Sequence, residues 1–192
     1  MGAPYILNLE IYMIKKVKEH FINNLKNSDQ EMIRILEKHL PQVEKWALKL
    51  LEMYPEANKD IVLMGVWLHD IGHVIGNSEI DHAINSETEA KRLLTEHNLP
   101  KDIIDSVAHC VRSHRCKDVQ PNTMEAKIIA AADSASHLTG NIYADMASRG
   151  EIERALGKLE RDIRDTKIFS ELYEQLYPVY LAWKQLLTVW PK

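Results

Sequence analysis

The chain has 192 residues, 45% of them hydrophobic and 27% charged, with a formal net charge of -4. That length supports one domain with a sizeable core, and the composition is that of a globular protein, not of a disordered or fibrous one. A negative balance with no block of basic residues excludes binding that works by neutralising many phosphates, so no nucleic acid is expected as a partner.

In the N-terminal stretch MGAPYILNLEIYMIKKVKEH the apolar residues are interrupted by Asn8, Glu10 and Lys15. Neither a leader peptide nor a membrane span is expected there. Ile11, Ile14, Val17, Phe21, Ile22 and Leu25 recur at helical spacing and predict a first helix, closed by a polar run from Asn23 to Ser28. Ser28-Asp29 is a good N-cap pair for a second helix reaching about Tyr54. Pro41 lies inside that helix, where the missing backbone donor predicts a bend beside His39. Pro55 ends it, and Asn58 or Asp60 caps a third helix, Ile61 to Leu68, that is apolar throughout and finishes in His69-Asp70.

Gly72 and Gly76 punctuate the following loop. A helix from about His82 to Glu96 turns Ala83, Ala90, Leu93 and Leu94 inward, and Pro100 opens the next, which carries Ile103, Ile104, Val107, Val111 and His114. After the polar loop CKDVQPN, Thr123 marks the start of a helix through Asp133, where Ala130, Ala131, Ala132 and Ala135 permit close packing. Two more helices are predicted, about Glu151 to Arg164 and Phe169 to Trp190. No segment alternates strictly and no repeat is visible, so the reading is all-α, a single helical domain over residues 1–192. Cys110 and Cys116 are too few for a disulfide framework and read as reduced thiols, which points to the cytoplasm.

A buried helix rarely ends in two ionisable groups, because an imidazole and a carboxylate are costly to bury without a partner. A divalent metal is one such partner, and a satisfied His–Asp hydrogen bond at a helix end is the alternative. Upstream stands His39, in EKHLPQVEKWALKLL, and downstream Asp133, in AKIIAAADSASHL. Together they make two imidazoles and two carboxylates, a set suited to Mn, Fe, Co, Ni or Mg more than to a structural thiolate zinc site. In this order, H…HD…D, the sequence resembles the HD-domain superfamily of metal-dependent phosphohydrolases over roughly residues 30 to 140. The segment PNTMEAKIIAAADSASHL, close behind HCVRSH, resembles a branch of small stand-alone HD hydrolases.

The resemblance implies a helical HD bundle with His39, His69, Asp70 and Asp133 holding a divalent ion. It implies hydrolysis of a small phosphate ester, a nucleotide or related phosphomonoester, by metal-activated water. Two-metal relatives place further histidines between the HD pair and the last aspartate. His82 and His114 match those positions, with Asp70 as the bridge, so one or two ions per chain are expected. His109 is a weaker match: it precedes His114 by five residues, about 500° of helical turn, so both cannot face one ion unless the helix ends between them. His73 stands where related nucleotidases often carry a glutamate near the attacking water, and is read with Asp70 as catalytic. His137, four residues after Asp133, shares its helix face, where close relatives tend to be acidic.

Arg112, Arg115, Lys117 and Lys127 are candidate phosphate contacts near these residues, and Arg149 is a remoter one. His20 and His97, with polar neighbours, read as solvated surface residues. No GYP follows His114 and no ED pair follows His69-Asp70, and the chain is short for a triphosphohydrolase. These absences leave a small phosphorylated molecule as the expected substrate, with a homo-oligomer open and no membrane partner. A regulatory HD module that binds a nucleotide without turnover, and an HD-fold di-iron oxygenase, are the alternatives.

Overall fold

The computed structural model describes residues 3–191, with side chains from residue 12 onward. Nine α-helices and two short 3-10 turns make up the described chain, without a strand among the described residues. None of these helices is long and apolar enough to cross a membrane.

Helix α1 (Ala3–Leu25) turns Met13, Val17, Phe21 and Leu25 into the core. Val17, Phe21 and Leu25 are thus as expected, Ile22 is exposed, and the side chain of Ile11 lies outside the described residues. Helix α2 (Gln30–Met53) is capped by Asp29, whose side chain accepts from the Met32 amide at 2.8 Å. It buries the stripe Leu36, Leu40, Val43, Ala47 and Leu50, and runs on through Pro41 as one helix. Helix α3 (Lys59–Leu68) is capped by Asn58 and is buried at every position from Ile61 to Leu68. Each fully buried aliphatic side chain there contributes roughly 1.5–3 kcal/mol, which explains how ten residues can anchor the bundle.

Burial on all sides makes α3 the central rod. It packs on α1 and α2, and on α4 (His82–Glu96), α5 (Lys101–Ser113) and α6 (Met124–Leu138). A Cβ on Gly65 would run into the Ile129 side chain and lie 3.4 Å from Cys110, so glycine lets α3 approach α6 and α5 closely. Helix α6 is nearly as enclosed, with Ile128 through Ser136 buried. Its outer flank is covered by α8 (Ile152–Asp165), which α9 (Ser170–Thr188) backs in turn.

The sequence reading missed α7 (Ile142–Ser148), only seven residues long and without a side-chain N-cap. His20 is also corrected. It is not a solvated residue: its Nε2 lies 2.7 Å from Glu89 of α4, tying α1 to that helix.

Candidate metal centre

Six elements, five helices and a 3-10 turn, deliver the polar side chains to one place. His39 comes from α2, His69 caps α3, and Asp70 follows it. His73 closes the 3-10 turn Ile71–His73, while His82 opens α4 and His114 caps α5. Asp133 and His137 lie one turn apart on α6. The turn after Asp70 is clamped to α4, since the Gly72 amide donates to Ser86 Oγ at 2.8 Å. A Cβ on Gly72 would strike the His82 carbonyl and sit 2.8 Å from Asn85 Cβ and the Ser86 amide. Only glycine fits so close to the start of α4.

Two sets of donors share Asp70. On one side, His39 Nε2 lies 3.1 Å from Asp133 Oδ1, 3.4 Å from Asp70 Oδ2 and 3.4 Å from His69 Nε2. His69 Nε2 lies 3.5 Å from Asp70 Oδ2 and 3.6 Å from Asp133 Oδ1. On the other side, Asp70 Oδ1 lies 3.4 Å from His82 Nε2, 3.7 Å from His114 Nε2 and 3.8 Å from His73 Nε2. His82 and His114 bring their Nε2 atoms within 3.3 Å of each other. The carboxylate therefore turns one oxygen to each set.

The buried hydrogen bonds assign which ring nitrogens face inward. Val66 O is 2.7 Å from His69 Nδ1, and Val111 O is 2.7 Å from His114 Nδ1. A carbonyl only accepts, so both rings carry the proton on Nδ1 and point a lone pair inward. Ser136 Oγ donates to the Asp133 carbonyl at 2.7 Å, and its lone pair then receives His39 Nδ1–H at 3.1 Å. Three imidazoles are thus locked through Nδ1, with their Nε2 atoms converging on carboxylate oxygens.

Ring nitrogens gathered on carboxylate oxygens are held by a cation, a proton at His39 or a metal ion in its place. Asp133 Oδ1 is buried and has no hydrogen-bond partner, although three imidazole nitrogens surround it. Donors held by one first-row ion at about 2.1 Å lie roughly 3.0–3.4 Å apart, close to the spacing found around His39, His69, Asp70 and Asp133. The nitrogen and oxygen donors, without thiolate, fit a borderline divalent ion. His39, His69 and Asp133 form one group of potential ligands, and Asp70, His73 and His82 a second.

Protonation follows the same partition. Burial opposes charge on His39, but Asp133 and Asp70 override it and hold the imidazole up at about 9. Burial likewise opposes charge on both carboxylates, yet the surrounding imidazoles, His69 foremost for Asp70 and His137 for Asp133, keep them well below the usual range. Burial pushes His82 down to about 4 and His114 to about 3. These two rings are neutral at neutral pH and their lone pairs are available.

The most exposed side chain of the centre is His73, which marks an opening. His69 is fully buried, whereas the His73 side chain is 38% exposed and stacks on His82 with centroids 3.9 Å apart. Beside that opening, Asp81 pairs with Arg115 at 2.5 Å and with Lys117 at 3.7 Å. Other expected contacts lie elsewhere. His109 Nε2 receives the Asn122 amide at 3.4 Å and steadies the loop before α6. Arg112 is bound by Asp118 and Glu87, and Arg149 by Glu31 and Glu151. Lys127 precedes Asp133 by six residues, about 600° of turn, and so leaves another face of α6.

Behind the first donor set lies a layer of which the sequence reading singled out His137 alone. His137 stacks on His39 at 4.9 Å, with the planes 5° apart. Next to it stand Lys158 and Asp162 of α8, and the buried Tyr143 hydroxyl donates to Asp162 at 2.6 Å. One signal was available in the sequence: Asp162 continues the inward stripe of Ala155 and Leu159, where an aspartate needs a buried partner.

The family described as HD domain matches residues 36–137, a span that holds every candidate metal ligand named above. Among curated proteins, the 3'-5' exoribonuclease YhaM of Geobacillus sp. (strain WCH70) is 32% identical over 77 residues, 39% of this chain and 24% of that protein. A tRNA (cytidine(56)-2'-O)-methyltransferase of Picrophilus torridus is 31% identical over 123 residues, 56% of this chain and 32% of that protein. The chain spans about a quarter to a third of the length of these relatives. No solved structure gives a significant match.

Proposed function

The chain belongs to the HD-domain family, and from that premise we propose that it hydrolyses a small phosphate ester, a nucleotide or related phosphomonoester, at two adjacent divalent ions. The observation that carries this reading is Asp70: its two oxygens serve two separate donor sets, each completed by inward-facing imidazoles. His39, His69, Asp70 and Asp133 would hold one ion, and Asp70, His73, His82 and His114 the other. When bound, Mn, Mg, Co, Ni or Fe ions supply a water acidified toward neutrality and polarise a phosphoryl oxygen.

The chain's own residues do the rest. His69 and His114, each pinned through Nδ1 to a backbone carbonyl, cannot turn away from the centre. The enclosed apolar walls of α3 and α6 keep bulk water off the buried side, so substrate enters past His73 and His82. Arg115 and Lys117 stand beside that entrance, where Asp81 holds them until a phosphate competes for them. In this reading His73 joins the second donor set, so the proton acceptor expected of it is not the ring itself.

The partial match to an exoribonuclease supports a second reading, in which the ester is the terminal phosphodiester of a short RNA. One screen separates the readings. The protein is stripped with chelator, reloaded with each ion, and offered nucleoside monophosphates, cyclic nucleotides, phosphosugars and short oligoribonucleotides. Metal-restored turnover of a monophosphate is the expected result, and turnover of the oligonucleotides alone selects the second reading. Tight nucleotide binding without turnover under any ion points to a regulatory module, and oxygen consumption with bound iron to an oxygenase.

A further inference from the structure

We propose that Lys158 fixes His137 as the imidazole that turns a proton, not a lone pair, toward the metal centre, and that this N–H holds a phosphoryl oxygen of the substrate. The role for substrate rests on the hydrolase reading; the placement of the proton does not.

The contrast with the other rings carries the argument. His39, His69 and His114 each have Nδ1 against an oxygen that accepts, so each keeps a proton on Nδ1 and leaves Nε2 as the atom that can bind an ion. His137 has Nδ1 against the Lys158 ammonium, at 3.1 Å. An ammonium has three donors and no lone pair, so this contact is a hydrogen bond only if Nδ1 is bare. The ring proton of neutral His137 then sits on Nε2. Asp162 Oδ2 is the one competing acceptor for an Nδ1 proton, but it lies farther off, at 3.4 Å, and already receives the Tyr143 hydroxyl at 2.6 Å. Its second oxygen faces Lys158 at 3.5 Å, which keeps the ammonium in place from the next turn of α8.

Position makes the N–H useful. His137 Nε2 is 3.5 Å from Asp133 Oδ1, too long for a hydrogen bond, and that oxygen has no hydrogen-bond partner. The donor is therefore uncommitted, at the edge of the first donor set. Parallel stacking on His39 fixes the ring plane, and the contact with Lys158 fixes its tautomer. A fixed neutral donor beside the ions can meet charge that develops on a phosphoryl oxygen without competing for a metal. Lys158 is then a positioning residue, acting through His137.

The test reads the proton directly. Long-range proton–nitrogen correlation spectra of the 15N-labelled full chain, metal-free and after addition of Zn2+, assign both ring nitrogens of His137. Nε2 protonated with Nδ1 bare is expected, opposite to His69 and His114 in the same spectrum. In Lys158→Met the proton should move to Nδ1, facing Asp162, while Lys158→Arg keeps the wild-type pattern. Nδ1–H or a doubly protonated ring in the wild type overturns the proposal, as does an unchanged pattern in Lys158→Met. The wild-type spectrum decides even if a variant fails to fold. His137→Phe, which keeps the stack, should slow hydrolysis on the order of a hundredfold with metal content unchanged. Metal lost in that variant would make His137 a ligand and overturn its role as donor. If no phosphate ester is turned over at all, the hydrolase reading fails while the spectra still settle the tautomer.

Discussion

Asp70 and its histidines show how much one residue's surroundings decide. A carboxylate oxygen can bond a single ion, but two oxygens directed to opposite donor sets can join two. Asp70→Ala should therefore remove both ions and reduce hydrolysis to background, measured as metal per chain and as turnover. Unchanged stoichiometry with full activity would sink the metal-centre reading. His82→Ala with His114→Ala should behave differently: the set around His39 and Asp133 is untouched, so about one ion remains. Loss of all metal in that double variant would mean the two sets are not separable. The His69-Asp70 pair and Asp133 were legible in the sequence because each is an ionisable group set in an apolar helix, where burial demands a partner, and His39 through the H…HD…D order that they complete. Ser136 and Lys158 were not. Their roles depend on which ring nitrogen they meet across the bundle, and no spacing in one chain segment encodes that.

Helices were legible where an apolar stripe ran over several turns, and their starts were sharpest where a capping side chain stood before it. Asp29, Asn58, Asp81 and Thr123 each accept a hydrogen bond from the first turn of the helix they start. Helix α7 offered neither a cap nor enough turns to show a period, which is why it was missed. Pro41 was read for its missing donor within a helix reaching about Tyr54, and α2 passes through it as one helix, held by the stripe that α2 buries on both sides of the proline. The 3-10 turn after Asp70 is the element on which the centre depends most. Its glycine allows the loop to press on the start of α4, bringing His73 against His82. Gly72→Ala should push these segments apart, at a cost on the order of 1–3 kcal/mol for forced overpacking. The expected signature is a lower Tm together with loss of the second ion, while the first ion is retained. A variant with unchanged Tm and two ions would show that the turn has slack the present packing does not reveal.

Over the whole molecule the centre ties together α2, α3, α4, α5 and α6, so bound ions stabilise the bundle as any ligand of the native state does. At a free concentration a hundred times Kd that amounts to about 2.7 kcal/mol for one site. Without ions, the same side chains set how stability depends on pH. His39 holds its proton up to about 9 in the folded chain against about 6.5 when unfolded. Its contribution is complete below about 6.5 and is lost as pH rises through 9, because in that interval only the native state binds the proton. His82 and His114 work in the opposite sense, with folded values of about 4 and about 3. Below about 6.5 only the unfolded chain takes up those protons, so their contribution is complete above that value and is lost on acidification. The depressed Asp70 and Asp133 add to the loss at still lower pH. The His69 imidazole, raised by the neighbouring Asp70 and Asp133 carboxylates, acts in the same sense as His39. In chelator, Tm should therefore peak near pH 6.5 and fall on both sides. Saturating Mn2+ should flatten the alkaline side, since an ion on His39 replaces the proton whose loss weakened the fold. A chelated protein whose Tm climbs steadily from pH 5 to 9 would mean that His39 does not hold a proton between its two carboxylates.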